Sequence, residues 1–211
     1  MPAGRPGVAG RGRAGLDVGV PGVTVTVEPA TPDRWNDVVR AFGSLGRRPD
    51  SCWCQRFRRH DDPDNRAALR REIDSGTVPI GLIAYADGDP AGWTRVAPRH
   101  TLPGVRDNRA LRRLLDDDPT AWWVTCLTVR RDHRGDGVGA ALLRAAVEHA
   151  RDHRATVLDG HPVDVDRLKA TPAASALFTG VRSMFAAAGF EEIGRTYLSR
   201  PVMRRQLVEP T

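Results

Sequence analysis

Apolar residues recur along this chain with two periods, and each change of period marks an element. Val23, Val25 and Val27 alternate with Thr24, Thr26 and Glu28, the period-two pattern of a strand with one buried face. Thr31 before Pro32 fits a helix start with proline at the first position. Trp35, Val38, Val39 and Phe42 then form a core-facing stripe that stops near Gly43–Gly46. Asn65 to Ser75 reads as a second helix, capped by Asp64 and ended by Gly76. Pro79–Ala86 and Ala91–Ala97 are apolar runs joined by Asp87-Gly88-Asp89-Pro90, which predicts a central antiparallel hairpin.

The second half continues the alternation. Leu102 to Asp118 is polar, with a helix expected from Asn108 to Leu115, and Asp116-Asp117-Asp118 reads as a solvated acidic run. Ala121–Val129 is a buried strand. From Val138, the residues Leu142, Leu143, Ala146, Val147 and Ala150 return to helical spacing. Ala155–Gly160 is the next strand, Ala173–Ala188 a late helix, and Glu191–Ser199 with Pro201–Leu207 a closing pair of strands. Helices and strands that alternate in this way predict an α/β fold, a mixed sheet flanked by helices. A single domain is expected over residues 23–211. Residues 1–22 are rich in Gly, Pro, Arg and Ala, lack the apolar segment of a secretory signal, and are expected to be a disordered tail.

Between strand and helix at 124–150 lies the stretch with the clearest chemistry, Arg134-Gly135-Asp136-Gly137-Val138-Gly139-Ala140. A helix N-terminus has unpaired amides and a partial positive charge, and glycines allow a phosphate to approach the backbone. The pattern predicts a cradle for a phosphate or pyrophosphate. Gly135, Gly137 and Ala140 match a dinucleotide fingerprint, with Asp159 at the expected offset of ~20 residues. Five residues, Arg130 to Arg134, lengthen the loop beyond the tight turn that such a fingerprint requires. Too little chain remains after residue 160 for the usual parallel sheet.

The rival pattern is R-x-x-G-x-G at Arg134, Gly137 and Gly139, a few residues after a hydrophobic strand. It resembles motif A of the GCN5-related N-acetyltransferases (GNAT), and the resemblance runs from about residue 23 to the end. Phe185-Ala186-Ala187-Ala188-Gly189-Phe190 is similar to that superfamily's late helix and following strand. Cys52-Trp53-Cys54, Gly81-Leu82-Ile83-Ala84-Tyr85, Gly92-Trp93 and Ala97-Pro98-Arg99 resemble a branch common in high-GC actinobacteria. The resemblance implies a mostly antiparallel sheet and an acetyl-CoA-dependent transfer to a primary amine of a small-molecule or peptide acceptor. It implies that residues 134–140 hold the pyrophosphate and that the backbone of Leu127, Thr128 and Val129 pairs with the pantetheine arm and polarises the thioester. Many members carry a tyrosine acid where this chain has Phe185, which has no proton to give. That departure motivates the alternative of a CoA-binding sensor or partner module without turnover.

Composition changes this picture little. The net charge of +6 comes from arginines scattered among Asp and Glu rather than from a basic block with interleaved aromatics, so no nucleic-acid partner is expected. No apolar run approaches the ~18–20 residues of a membrane span. Cys52, Cys54 and Cys126 are read as unpaired, which suits a reducing cytoplasm, with Cys126 a small core residue. Cys52-x-Cys54 with His60 falls short of four ligands, so no metal is expected. Asp159 and His161 alternate onto one face at a strand end and are the candidates for a base. In place of the missing tyrosine, either water serves as the acid or a nearby group such as Ser183 does.

Overall fold

The computed structural model describes residues 22–44, 48–58 and 64–208. The expected tail, apart from residue 22, and His60 lie outside them. A seven-stranded sheet organises the chain. Its strands are β1 (Val25–Pro29), β2 (Gly81–Ala86), β3 (Asp89–Pro98), β4 (Trp122–Val129), β5 (Val157–Gly160), β6 (Glu191–Tyr197) and β7 (Arg200–Gln206). They stand in the order β1-β2-β3-β4-β5-β7-β6, and every pairing is antiparallel except that of β4 with β5.

The helices are α1 (Trp35–Ala41), α2 (Asn65–Ser75), α3 (Pro103–Arg106), α4 (Val138–Asp152) and α5 (Arg182–Ala187). On one face of the sheet, α4 buries Val138, Leu142, Leu143, Ala146, Val147 and Ala150 against β1–β4, and Phe185 of α5 joins the same core. On the other, α1 and α2 bring Val38, Leu69 and Ile73 onto Trp93 and Ile83, with Trp53 between them. A smaller cluster of Leu102, Val105, Leu111, Trp123 and Val202 fills the end nearest α3. The result is three layers, because each sheet face is apolar and must be covered.

Most expected elements form where the periodicity places them. The second helix has the bounds Asn65–Ser75, with Asp64 accepting from the Ala67 amide at 2.9 Å. Two helices are shorter than expected. The stretch 108–115 holds only a 3-10 turn at Leu111–Arg113. The long helix expected at 173–188 breaks into a 3-10 turn, Ala174–Leu177, and α5. Gly180 sits at φ +81 between them, a left-handed conformation that a helix cannot contain. Asp116 is not merely solvated: it pairs with Arg99 at 2.8 Å and with Arg204.

The parallel pairing of β4 with β5 covers Trp122↔Leu158, Trp123↔Asp159 and Val124↔Gly160, and goes no further. Gly160 ends it. A Cβ there would lie 2.3 Å from the Phe185 ring, so only glycine lets α5 pack against the sheet at that point. Gly160→Ala should destabilise the protein by about 1–3 kcal/mol by overpacking. A urea titration reads this, and an unchanged midpoint would show that Phe185 yields freely.

Candidate active site

Where β4 and β5 part, the strand backbone decides which amides are available. The amide of Arg130 donates to Ala91 on β3 at 2.8 Å, whereas that of Leu127 points the opposite way, to the Phe178 carbonyl at 2.6 Å. Strand amides alternate sides, so Val129 directs its N–H into the opening with Leu127, and Thr128 faces β3. Of the expected trio, the Thr128 amide belongs to the sheet, the Leu127 amide is engaged by Phe178, and the Val129 amide faces the opening. Residues 178–181 reach into the opening, held from the far side by Val163, whose amide donates to Gly180 O at 2.9 Å.

At the end of β4 the chain makes a 3-10 turn, Arg131–His133, and enters α4 through the glycines. Gly135 (φ +97) and Gly137 (φ +79) are left-handed, and Gly137 caps α4 without a side chain of its own. Ala141 makes the first helical bond, to Gly137 O at 3.0 Å, so the amides of residues 137–140 are the helix's orphan donors. Nothing lies within 4 Å of where a Gly135 Cβ would stand. Arg134 is exposed and, among the described residues, forms no ion pair, whereas Asp136 lies 3.5 Å from His133 Nδ1. His133 and Arg130 both reach Asp89, fixing the loop to the β2–β3 turn. Open space, directed amides and an unpaired arginine fit a diphosphate.

On the α1/α2 face beside this opening lies a cavity of about 530 Å³, walled by Phe42, Trp53, Cys54, Cys126, Thr128 and Phe178. Among the described residues, none of its lining side chains is acidic. Trp53 (φ 33) and Cys54 (φ 56) are consecutive non-glycine residues in the left-handed region, a strained arrangement. Several contacts hold it. Trp53 Nε1 donates to Arg48 O at 2.7 Å, the Gln55 amide to Cys52 O at 2.7 Å, Trp93 Nε1 contacts Cys54 Sγ at 2.9 Å, and Cys54 is joined to Cys126 by a disulfide. The reading of the cysteines as unpaired is therefore corrected. Cys126, in mid-strand, faces the loop across a separation of 72 residues, which no local sequence signal reveals. Cys52 remains free and exposed.

The acetyltransferase (GNAT) family model matches residues 47–174, more than half of the chain. The chain belongs to the GNAT acetyltransferase family. Its fold is similar to that of the GNAT domain of S. lividans PAT (TM-score 0.56, 17% identity, covering 90% of this chain and 96% of that one). It is also similar to YncA of Salmonella typhimurium, solved with acetyl-CoA (TM-score 0.51, 19% identity, 88% and 95%), and to the aminoglycoside acetyltransferase AAC(6')-Ib, solved with coenzyme A (TM-score 0.51, 16% identity, 87% and 95%). A curated relative, DNA topoisomerase 2 of Penicillium chrysogenum, is 33% identical over 69 residues. That stretch is 30% of this chain and 4% of that protein.

Within this GNAT domain the candidate acid and bases do not converge. Asp159 is fully buried, and both its oxygens are taken, by Arg99 at 2.7 Å and by Arg204 at 2.7 and 3.0 Å. It ties the closed end of the β4–β5 pair, fully buried and with each oxygen already accepting from an arginine. Hydrogen bonds from Arg204, reinforced by Arg99, hold the neighbouring Asp116 carboxyl far below its usual range. His161 bonds Thr196 Oγ1 through Nε2 at 2.7 Å, and burial, with the charge of Arg200, lowers its pKa to about 4. The imidazole is neutral at physiological pH but a weak base. Ser183 is exposed on α5, on the opposite side of that short helix from buried Phe185. Alkylating the native protein without reductant should label Cys52 alone. Cys126→Ser should lower stability by about 2–4 kcal/mol in urea, and labelling of all three cysteines would show the bridge absent.

Proposed function

We propose that this chain moves the acetyl group of acetyl-CoA directly to a primary amine seated in the cavity beside β4. The observation that carries the reading is the placement of the glycine cradle, at the same end of β4 as the gap between β4 and β5. The amides of residues 137–140, with Arg134, would hold the diphosphate, and the Val129 amide would meet the arm that leads into the gap. Acetyl-CoA supplies an acyl group already activated as a thioester with a thiol leaving group. The Leu127 amide is the donor that would polarise its carbonyl, once the Phe178 carbonyl moves off it. Thr128 and the apolar walls place the amine, and the disulfide fixes those walls. The resemblance of Cys52-Trp53-Cys54 and Gly92-Trp93 to an actinobacterial-type branch supports our assigning the chain to that branch.

Among the described residues no acidic side chain lines the cavity, and His161 is a weak base, so on this reading the amine reacts after losing its proton to water. A CoA-binding module without turnover is the second reading. It is favoured by Phe185 at the family's acid position and by the engaged Leu127 amide. Release of free thiol from acetyl-CoA with an amine panel separates the two.

Gly137→Val should abolish acetyl-CoA binding in calorimetry, because a β-branched residue cannot adopt φ +79 at the helix cap. Unchanged heat would remove the cradle from the account. The kcat/KM profile should rise with pH toward the acceptor amine's own pKa. His161 changes charge near 4, so no limb at its ordinary value of about 6.5 is expected. A limb there that vanishes in His161→Ala would restore the histidine as base.

A further inference from the structure

Arg56 and Arg200 approach one short piece of chain. The Arg56 guanidinium lies over the Phe178 ring, 5.1 Å from its centroid, and Arg200 Nη1 donates to Thr179 Oγ1 at 3.2 Å. Phe178 and Thr179 are consecutive, and Thr179 is buried, so both cations are anchored to one turn. Arg56 and Phe178 also line the cavity. Several arginines of the sheet and its loops have carboxylate partners: Arg95 has Glu72, Arg99 has Asp159, and Arg195 has Asp164. Among the described residues, neither Arg56 nor Arg200 forms an ion pair. Arg200 is half-buried, and its pKa is lowered first by that burial and then by the charge of Arg56. Two guanidinium groups anchored to consecutive residues, with no carboxylate partner among the described residues, are a place that an oxyanion stabilises, through charge-assisted and often bidentate hydrogen bonds.

The rest of the cavity narrows the ligand. Phe42, Trp53, Phe178 and the disulfide present apolar surface, with no acidic side chain among the described lining residues. An acceptor carrying several ammonium groups would meet a guanidinium and no carboxylate. An acceptor with an apolar body and a single anionic group meets complementary surface throughout.

We propose that Arg56 and Arg200 together bind the carboxylate of the acceptor, which is an amino acid with an apolar or aromatic side chain. This rests on the reading that the cavity receives the amine. Calorimetry on the full chain with N-acetyl-L-phenylalanine and with its amide tests the carboxylate site without turnover. The acid should bind about ten-fold more tightly, as expected for one charge-assisted contact. Arg200→Gln, and separately Arg56→Gln, should bring the acid close to the amide while moving the amide little, with melting curves confirming the fold. Equal affinities of acid and amide in the unaltered chain, or no heat from either, overturn the proposal.

A turnover arm compares L-phenylalanine with 2-phenylethylamine in the presence of acetyl-CoA. A KM about ten-fold lower for the amino acid supports the site, and equal KM values with ready thiol release overturn it while leaving acetyl transfer intact. Acid-selective binding without thiol release from any amine does the reverse, supporting the carboxylate site and overturning the transfer.

Discussion

Parallel hydrogen bonding between β4 and β5 lasts for three residue pairs, and the rest of the structure depends on where it stops. The closed end is locked by Asp159, which sits on β5 opposite Trp123 and holds Arg99 from the end of β3 and Arg204 from β7. A carboxylate fully removed from water is stable only when its charge is met this way, and losing either arginine would leave it uncompensated. The open end is set by Gly160, which gives its side-chain volume to Phe185. Three strands are thus pinned on one side of the gap, and α5 is wedged under the other. Because β4 runs on past the gap, its final residues carry their outward amides to the glycine turn that opens α4.

How much of this was legible in the sequence follows from the range of the forces involved. Periodicity reports burial of a local face, so the strands and the long α4 were readable from Val, Leu and Ala spacing, and α2 from its Asp64 cap and Gly76. The cradle was readable because its glycines and helix start are contiguous. The late helix was misread because Gly180 breaks it for a reason that lies across the fold, where residues 178–181 enter the gap between β4 and residue 163. The base candidates failed for the same reason. Asp159 and His161 do lie at a strand end as expected, but the arginines that neutralise one and the burial that weakens the other come from β3, β7 and the loop before it, which no spacing within 159–161 encodes.

The loop at 52–56 shows what a long-range constraint adds to a locally unfavourable stretch. Trp53 and Cys54 occupy a backbone region that non-glycine residues avoid, and the chain around them has little regular structure. Arg95, wholly buried on β3, donates to the Cys54 carbonyl at 3.2 Å and pairs with Glu72 of α2, which also accepts from Gln55 at 2.8 Å. Burial alone would raise the Glu72 pKa, but the charge and hydrogen bonds of Arg95, with the Gln55 hydrogen bond and the charge of Arg58, together outweigh it and hold the carboxylate ionised. With the bridge to Cys126, the strained loop is tied to the sheet from two directions. The cavity wall is accordingly a property of the folded sheet rather than of the loop itself.

Phe178 belongs to two surfaces at once. Its ring closes the cavity under Arg56, and its carbonyl occupies the Leu127 amide in the gap. Where the chain is displaced to free that amide, rather than the peptide flipping in place, the ring moves with it. On the acetyl-transfer reading, arrival of the thioester therefore remodels the chamber in which the amine must sit. Such a displacement would impose an order: the donor would dock first and the acceptor second, and an acceptor that fills the chamber early would compete with the donor.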